Sequence, residues 1–193
     1  MTSWLYRDGR VYRGVLRLLY GDALAARERI VSALVPAGAS VVDVCCGDAT
    51  IARRLGRERY LGVDASPVFV RALERAGISA RLLDVSREDP PEGDVLLLLG
   101  ALYQFLPSAD ALLERLKRRA KRLVVVAEPY RNLSTHPWRP VRALARRMTD
   151  PGVESSRDRF DEGSLRAIFS RHGAGEIHRT SRELVAALPG QAP

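Results

Sequence analysis

The stretch Val41-Val42-Asp43-Val44-Cys45-Cys46-Gly47-Asp48-Ala49-Thr50 constrains this chain more than any other. It begins as a short apolar run, the pattern of a strand buried on both faces of a parallel sheet. It then breaks into a small-residue loop around Gly47, after which Ile51, Ala52 and Leu55 fall at helical spacing. Strand, loop and helix in that order open a nucleotide-sized site at the carboxyl end of the first strand of an α/β sheet.

The rest of the chain repeats the alternation. Strands are expected at Ser40–Val44, Tyr60–Val63, Ser79–Leu83, Asp94–Leu99 and Leu123–Ala127. Between them, Asp22 reads as the N-cap of a helix carrying Leu24, Ile30, Val31 and Leu34. Ser66-Pro67 starts a second helix that Gly77 closes, and Ser108 or Asp110 starts a third. Asp161 caps a last helix, stopped at Gly173, and two short strands follow at about 175–179 and 183–188. Five alternating units imply a parallel sheet covered on both faces. The closing pair is too near in sequence for a crossover, so one of its strands is expected to run antiparallel.

The 193 residues suit a single domain. Two segments stand apart within it. Residues 1–21, aromatic and arginine-rich, suit a lid or a helix packed on the sheet. Residues 131–160 form a long insertion with a short helix expected at Val141–Met148. No apolar run reaches the ~20 residues of a membrane span. Arg7, Asp8 and Arg10 stand where a secretory signal needs an apolar core, so a cytoplasmic protein is expected. The adjacent cysteines Cys45 and Cys46 suit small packing residues better than a disulfide or a metal site. Lys+Arg number 31 against 23 Asp+Glu, a net charge of +8, and only Lys117 and Lys121 are lysines. Arginines spread along the whole chain fit solvated surface better than a nucleic-acid footprint, which would cluster them.

Asp43, Asp64 and Asp84 stand at the ends of three successive strands, hence on one edge of the sheet. A carboxylate after the second strand is placed to accept both hydroxyls of a ribose. A dinucleotide site also needs the G-x-G-x-x-G turn for its pyrophosphate. Here the loop has one glycine and an extra carboxylate, Asp48, which would repel pyrophosphate. It suits a nucleoside cofactor bearing an ammonium and a sulfonium.

These residues resemble the class I S-adenosylmethionine-dependent methyltransferases over about Asp22 to Leu188. Asp43-Val44-Cys45-Cys46-Gly47-Asp48-Ala49 is similar to the family's first motif, D/E-x-G-x-G-x-G, with Cys45 and Ala49 in place of two glycines. Leu61-Gly62-Val63-Asp64 is similar to the second motif and Leu83-Asp84-Val85 to the third. Leu99-Gly100-Ala101-Leu102-Tyr103 is similar to the segment between cofactor and acceptor. The resemblance implies a Rossmann-like three-layer α/β sandwich whose seven-stranded, mostly parallel sheet has an antiparallel last strand. It implies S-adenosylmethionine as cofactor, with Asp64 and Ala65 at the ribose and Asp84 and Val85 at the adenine. Asp43, Cys45, Gly47 and Asp48 would serve the methionine end, and Leu99, Gly100 and Tyr103 would flank the cofactor.

The acceptor is less legible. No N/D-P-P-Y/F follows the fourth strand, no Pro-Cys pair serves cytosine, and no metal cluster suggests a catechol enzyme. A small-molecule acceptor, methylated on O, N or C, is the expected substrate. Trp138 with Arg139, Arg142, Arg146 and Arg147 would suit an anionic or lipid-like one. His136, Tyr130 and Tyr103 are the candidate catalytic groups for an acceptor that must lose a proton. Glu128 fits a substrate contact or a hydrogen bond to a nearby turn, His172 a helix-end cation and His178 a structural role. An RNA methyltransferase using its arginines on phosphates, or a non-catalytic S-adenosylmethionine-binding protein, are the alternatives.

Overall fold

A computed structural model describes the backbone of residues 9–130 and 159–192 and the side chains of residues 22–130 and 159–192. Seven strands form one sheet: β1 (Val41–Val44), β2 (Tyr60–Asp64), β3 (Ala80–Leu82), β4 (Gly93–Leu99), β5 (Ala120–Pro129), β6 (Ile177–Arg179) and β7 (Glu183–Pro189). Their spatial order is β3-β2-β1-β4-β5-β7-β6. β1 through β5 are mutually parallel, and β7 runs antiparallel to both β5 and β6. This is the sheet expected from the sequence. The order reverses between β1 and β4, so the crevice outside their carboxyl ends is the switch point where such sheets bind ligands.

The helices are α1 (Gly9–Leu34), α2 (Ala52–Leu55), α3 (Pro67–Arg75), α4 (Ala109–Arg119) and α5 (Glu162–Arg171). They pack on both faces because the central strands are apolar on both. Leu96 and Leu98 of β4 join Leu113, Leu116, Leu165 and Phe169 on one face. Val95 and Leu97 join Val31, Ile51 and Leu73 on the other. Each such side chain, fully buried, contributes about 1.5–3 kcal/mol.

Two helix starts behave as their sequences require. Asp161 accepts from the Ser164 N–H at 2.7 Å while Ser164 Oγ accepts from the Asp161 N–H at 3.0 Å, a reciprocal cap. Pro67 opens α3 with its φ preset. Asp22 departs from expectation: it lies inside α1, which runs unbroken from Gly9. Leu16, Arg17, Leu18 and Leu19 are good helix formers and carry the helix through Gly21, and an exposed Asp is tolerated in a helix interior. β5 begins three residues earlier than expected. Ala120 pairs with Gly93, so the charged Lys121-Arg122 belongs to the strand. The insertion 131–160 lies outside the described residues except for Arg159 and Phe160, as does the helix expected at Val141–Met148.

Candidate functional site

The loop after β1 is held in an unusual backbone shape. Cys45, Gly47 and Ala49 have φ of 57°, 54° and 48°. Left-handed backbone at alternate positions is the conformation that the spacing G-x-G-x-G serves with glycine. Here two of the three positions adopt it with a Cβ, at about 1–2 kcal/mol each. The loop is tied down on both sides. The Cys46 N–H donates to the Val63 carbonyl at 3.1 Å, and the Ala49 N–H to the Cys46 carbonyl at 2.9 Å. A Cβ on Gly62 would stand 2.7 Å from Cys46 Sγ, so this thiol fits only because β2 carries glycine there. A Cβ on Gly47, by contrast, would meet no atom of the described residues within 4 Å, so they leave the loop backbone uncovered at that position.

Asp64 joins the loop to the end of β2. Its Oδ2 accepts from the Gly47 N–H at 2.9 Å and its Oδ1 from the Ser66 N–H at 2.8 Å. Each oxygen keeps a second lone pair for another donor. Burial raises its affinity for a proton, against the two backbone hydrogen bonds. Ala65 beside it is exposed.

Asp43 is buried within β1. The Tyr60 hydroxyl donates to its Oδ2 at 2.6 Å, while Oδ1 is buried without a hydrogen-bond partner among the described residues. Burial lifts its pKa to about 7, opposed by the Tyr60 bond and by the charge of Arg27. Asp48 and Asp64 add negative charge nearby. Asp84, just past β3, is turned onto its own backbone. It accepts from the Ser86 N–H at 3.0 Å and from Ser86 Oγ at 2.6 Å, and stands 3.5 Å from Arg87. Val85 is buried.

After β4, the Gly100 N–H donates to the Ala127 carbonyl at 2.6 Å, and Gly100 has φ of 74°. Leu99 and Tyr103 are half-buried beside this turn. The Tyr103 ring lies 4.0 Å below the Arg159 guanidinium, and burial raises the pKa of its phenol. Glu128 resolves in favour of the turn: its Oε2 accepts from the Leu102 N–H at 2.8 Å. It is 1% exposed, and burial pushes its pKa to about 8. The Tyr130 hydroxyl donates to the Thr180 carbonyl at 3.2 Å, which binds it to the turn between β6 and β7.

The structure therefore gathers Asp43, Cys45, Gly47, Asp48, Asp64, Leu99 and Gly100 around the carboxyl ends of β1, β2 and β4. Tyr103 and Tyr130 follow the ends of β4 and β5 on the same edge. His136 lies outside the described residues. His172 ends α5, with Nε2 2.9 Å from Asp110 and Nδ1 2.9 Å from Glu114, so it ties α5 to α4. His178 sits in β6, 3.4 Å from Glu176.

One site group escaped the sequence. Arg27 of α1 reaches Glu183 at the start of β7, Nη1 to Oε1 3.3 Å, across 156 residues. The same nitrogen would stand 3.7 Å from a Cβ on Gly100. Arg27 falls in the middle of the apolar stripe of Leu24, Ile30, Val31 and Leu34 on α1, but nothing in the sequence pointed to its partner.

No protein-family model matches the chain, and no curated protein matches it in sequence. Its fold is nevertheless shared with many solved structures. One is the 16S rRNA methyltransferase RmtF in complex with S-adenosyl-L-homocysteine, 24% identical at a TM-score of 0.61 over 97% of this chain and 67% of that one. Another is magnesium protoporphyrin IX methyltransferase (ChlM) from Synechocystis PCC 6803 with bound SAH, 17% identical at 0.63 over 97% and 91%. A third is human N-acetylserotonin methyltransferase (ASMT) in complex with SAM, 15% identical at 0.62 over 97% and 58%. The chain has the fold of the class I S-adenosylmethionine-dependent methyltransferases.

Proposed function

We propose that the chain is an S-adenosylmethionine-dependent methyltransferase acting on a small-molecule acceptor. The observation that carries this reading is the loop Cys45–Ala49, left-handed at alternate residues and pinned by the Gly47 N–H to Asp64. The chain maintains that conformation at Cys45 and Ala49 despite its steric cost.

The residues present fit the cofactor. Asp64 has lone pairs for ribose hydroxyls, and the bare backbone at Gly47 admits a close approach. Asp43 Oδ1, without a hydrogen-bond partner among the described residues, suits with Asp48 and Asp64 nearby a ligand that carries positive charge. Val85 and Asp84 would face the adenine, while Leu99, Gly100 and Tyr103 would flank the methionine end. When bound, the cofactor supplies a methyl group already activated on a sulfonium.

What remains for the chain is to align the acceptor, exclude water and take a proton where the acceptor gives one up. Alignment alone accounts for about 7–11 kcal/mol of barrier in well-oriented systems. Tyr103, its phenol held protonated by burial, orients rather than deprotonates. Tyr130 positions the turn between β6 and β7. His136, in the insertion 131–160, is the proposed base. That insertion and residues 1–21 would wall the acceptor, and their arginines would suit an anionic or lipid-like one.

The +8 net charge favours one second reading, an RNA acceptor. RNA binding that weakens steeply with salt would support it. Calorimetric titration of the purified protein with S-adenosylmethionine tests the main proposal; absence of binding would refute it.

A further inference from the structure

Arg27 carries its guanidinium from α1 to the carboxyl edge of the sheet. Its Nη1 lies 3.3 Å from Glu183 Oε1 at the start of β7 and would lie 3.7 Å from a Cβ on Gly100, just past β4. The guanidinium is under-used there. It has five N–H donors, and its one hydrogen bond to a described residue is the long one to Glu183. Nε is buried with no hydrogen-bond partner among the described residues, and the whole side chain is only 16% exposed. A shielded donor left unbonded is costly, because it has given up water without a replacement. An anion that presents two oxygens to the planar fork removes that cost.

The surroundings indicate which anion. Gly100 follows β4, so Arg27 stands at the crevice outside the carboxyl ends of β1 and β4, where a doubly wound sheet binds its ligand. Asp43 of β1 lies close enough to feel the Arg27 charge, which opposes the effect of burial on its carboxyl. Asp43 Oδ1 is itself buried with no hydrogen-bond partner among the described residues. Donors from α1 and an acceptor from β1, side by side, complement the carboxylate and ammonium that an α-amino acid holds on one carbon.

We infer that Arg27 anchors the carboxylate at the methionine end of S-adenosylmethionine and makes the site select the intact amino-acid end of the cofactor. The inference rests on the methyltransferase reading. Glu183 holds the guanidinium in place through one bond and leaves its other donors to the ligand. Arg27 is a binding residue, and no proton passes through it.

The test is calorimetric titration of the full chain at neutral pH with S-adenosylmethionine and with decarboxylated S-adenosylmethionine. The two share adenine, ribose, sulfonium and an amine, so the ratio of their affinities isolates the carboxylate. The expected ratio in favour of the intact cofactor is at least about tenfold, the effect of one charge-assisted contact. Arg27→Met brings it to within about twofold by weakening only the intact cofactor. Should that variant not fold, Arg27→Met combined with Glu183→Gln removes the same contact without stranding a buried carboxylate. Glu183→Gln alone also breaks the link between α1 and β7 but keeps Arg27, and it retains the ratio. A wild-type ratio within about twofold would overturn the inference. So would a folded Arg27 variant that keeps the full ratio, which would place the carboxylate on another cation. Loss of the ratio in Glu183→Gln as complete as in Arg27→Met would overturn it too, because the effect would then come from the position of α1. Failure of both ligands to bind is a different outcome, which removes the methyltransferase reading itself.

Discussion

The backbone N–H of Gly47 donates to the Asp64 carboxylate at 2.9 Å, so the loop after β1 is fastened to the end of β2 by a charged acceptor. The same carboxylate receives the Ser66 N–H at 2.8 Å and thereby fixes the entry to α3. One side chain sets the geometry of two segments on which a nucleoside would lie. Asp64→Ala removes both charge-assisted bonds. It is expected to cost about 2–4 kcal/mol of stability and to weaken S-adenosylmethionine at least about tenfold, one ribose contact being worth 1.4 kcal/mol or more. Denaturant unfolding and calorimetry measure the two effects separately.

Ala49 and Cys45 hold left-handed backbone that glycine adopts without cost. Ala49 is buried in the core, so the lost methyl, about 0.8 kcal/mol, offsets part of the relieved strain. Ala49→Gly is expected to stabilise the protein by about 0.5 kcal/mol, a rise of about 1–2 °C in Tm. Cys45→Gly should gain less, because it removes a larger side chain that packs against the core. A fall in Tm for Ala49→Gly would contradict the strain assigned to that position.

Asp43 and Glu128 bind protons more tightly in the folded chain than in the unfolded one, where their reference values are 3.8 and 4.5. Their contribution is fully present below those values. It is lost as pH rises towards about 7 for Asp43 and about 8 for Glu128, with a slope of at most about 1.4 kcal/mol per pH unit for each group. Stability in urea should therefore decline from pH 5 to pH 8, and Glu128→Gln should flatten the decline. An unchanged slope in the variant would contradict the buried, protonated state of Glu128.

Arg27 and Glu183 join α1 to β7, with side chains only 16% and 10% exposed. Breaking such a pair from one side leaves a buried charge uncompensated. Arg27→Met is expected to destabilise by about 3 kcal/mol, and the double variant with Glu183→Gln should recover part of the loss. Additive effects in the double-mutant cycle would show that the two residues do not interact.

Much of the fold was legible because local chemistry and global fold agree. Ser66-Pro67, Asp161 and the glycines at 77 and 173 punctuate helices where turn and cap chemistry require. The apolar run at 94–99 could only be a buried strand. The antiparallel closing pair followed from the short connection between 179 and 183. The failures are non-local. Asp22 resembles an N-cap in sequence, but whether α1 starts there depends on residues before it. Lys121 and Arg122 look like a polar helix end until Gly93 is seen to pair with Ala120. The site divides in the same way. The strand-end acids were visible from spacing, whereas the Tyr60 bond to Asp43 and the link from Arg27 to Glu183 depend on packing. No pattern along the chain records either.

The most direct measurement is calorimetric titration of the purified chain with S-adenosylmethionine, and with NAD as the competing nucleoside cofactor. Saturable binding of S-adenosylmethionine at one site per chain, no binding of NAD, and a large loss of affinity in Asp64→Ala are the predicted results. No binding of S-adenosylmethionine, or a dissociation constant unchanged by Asp64→Ala, would contradict the site built around Gly47 and Asp64.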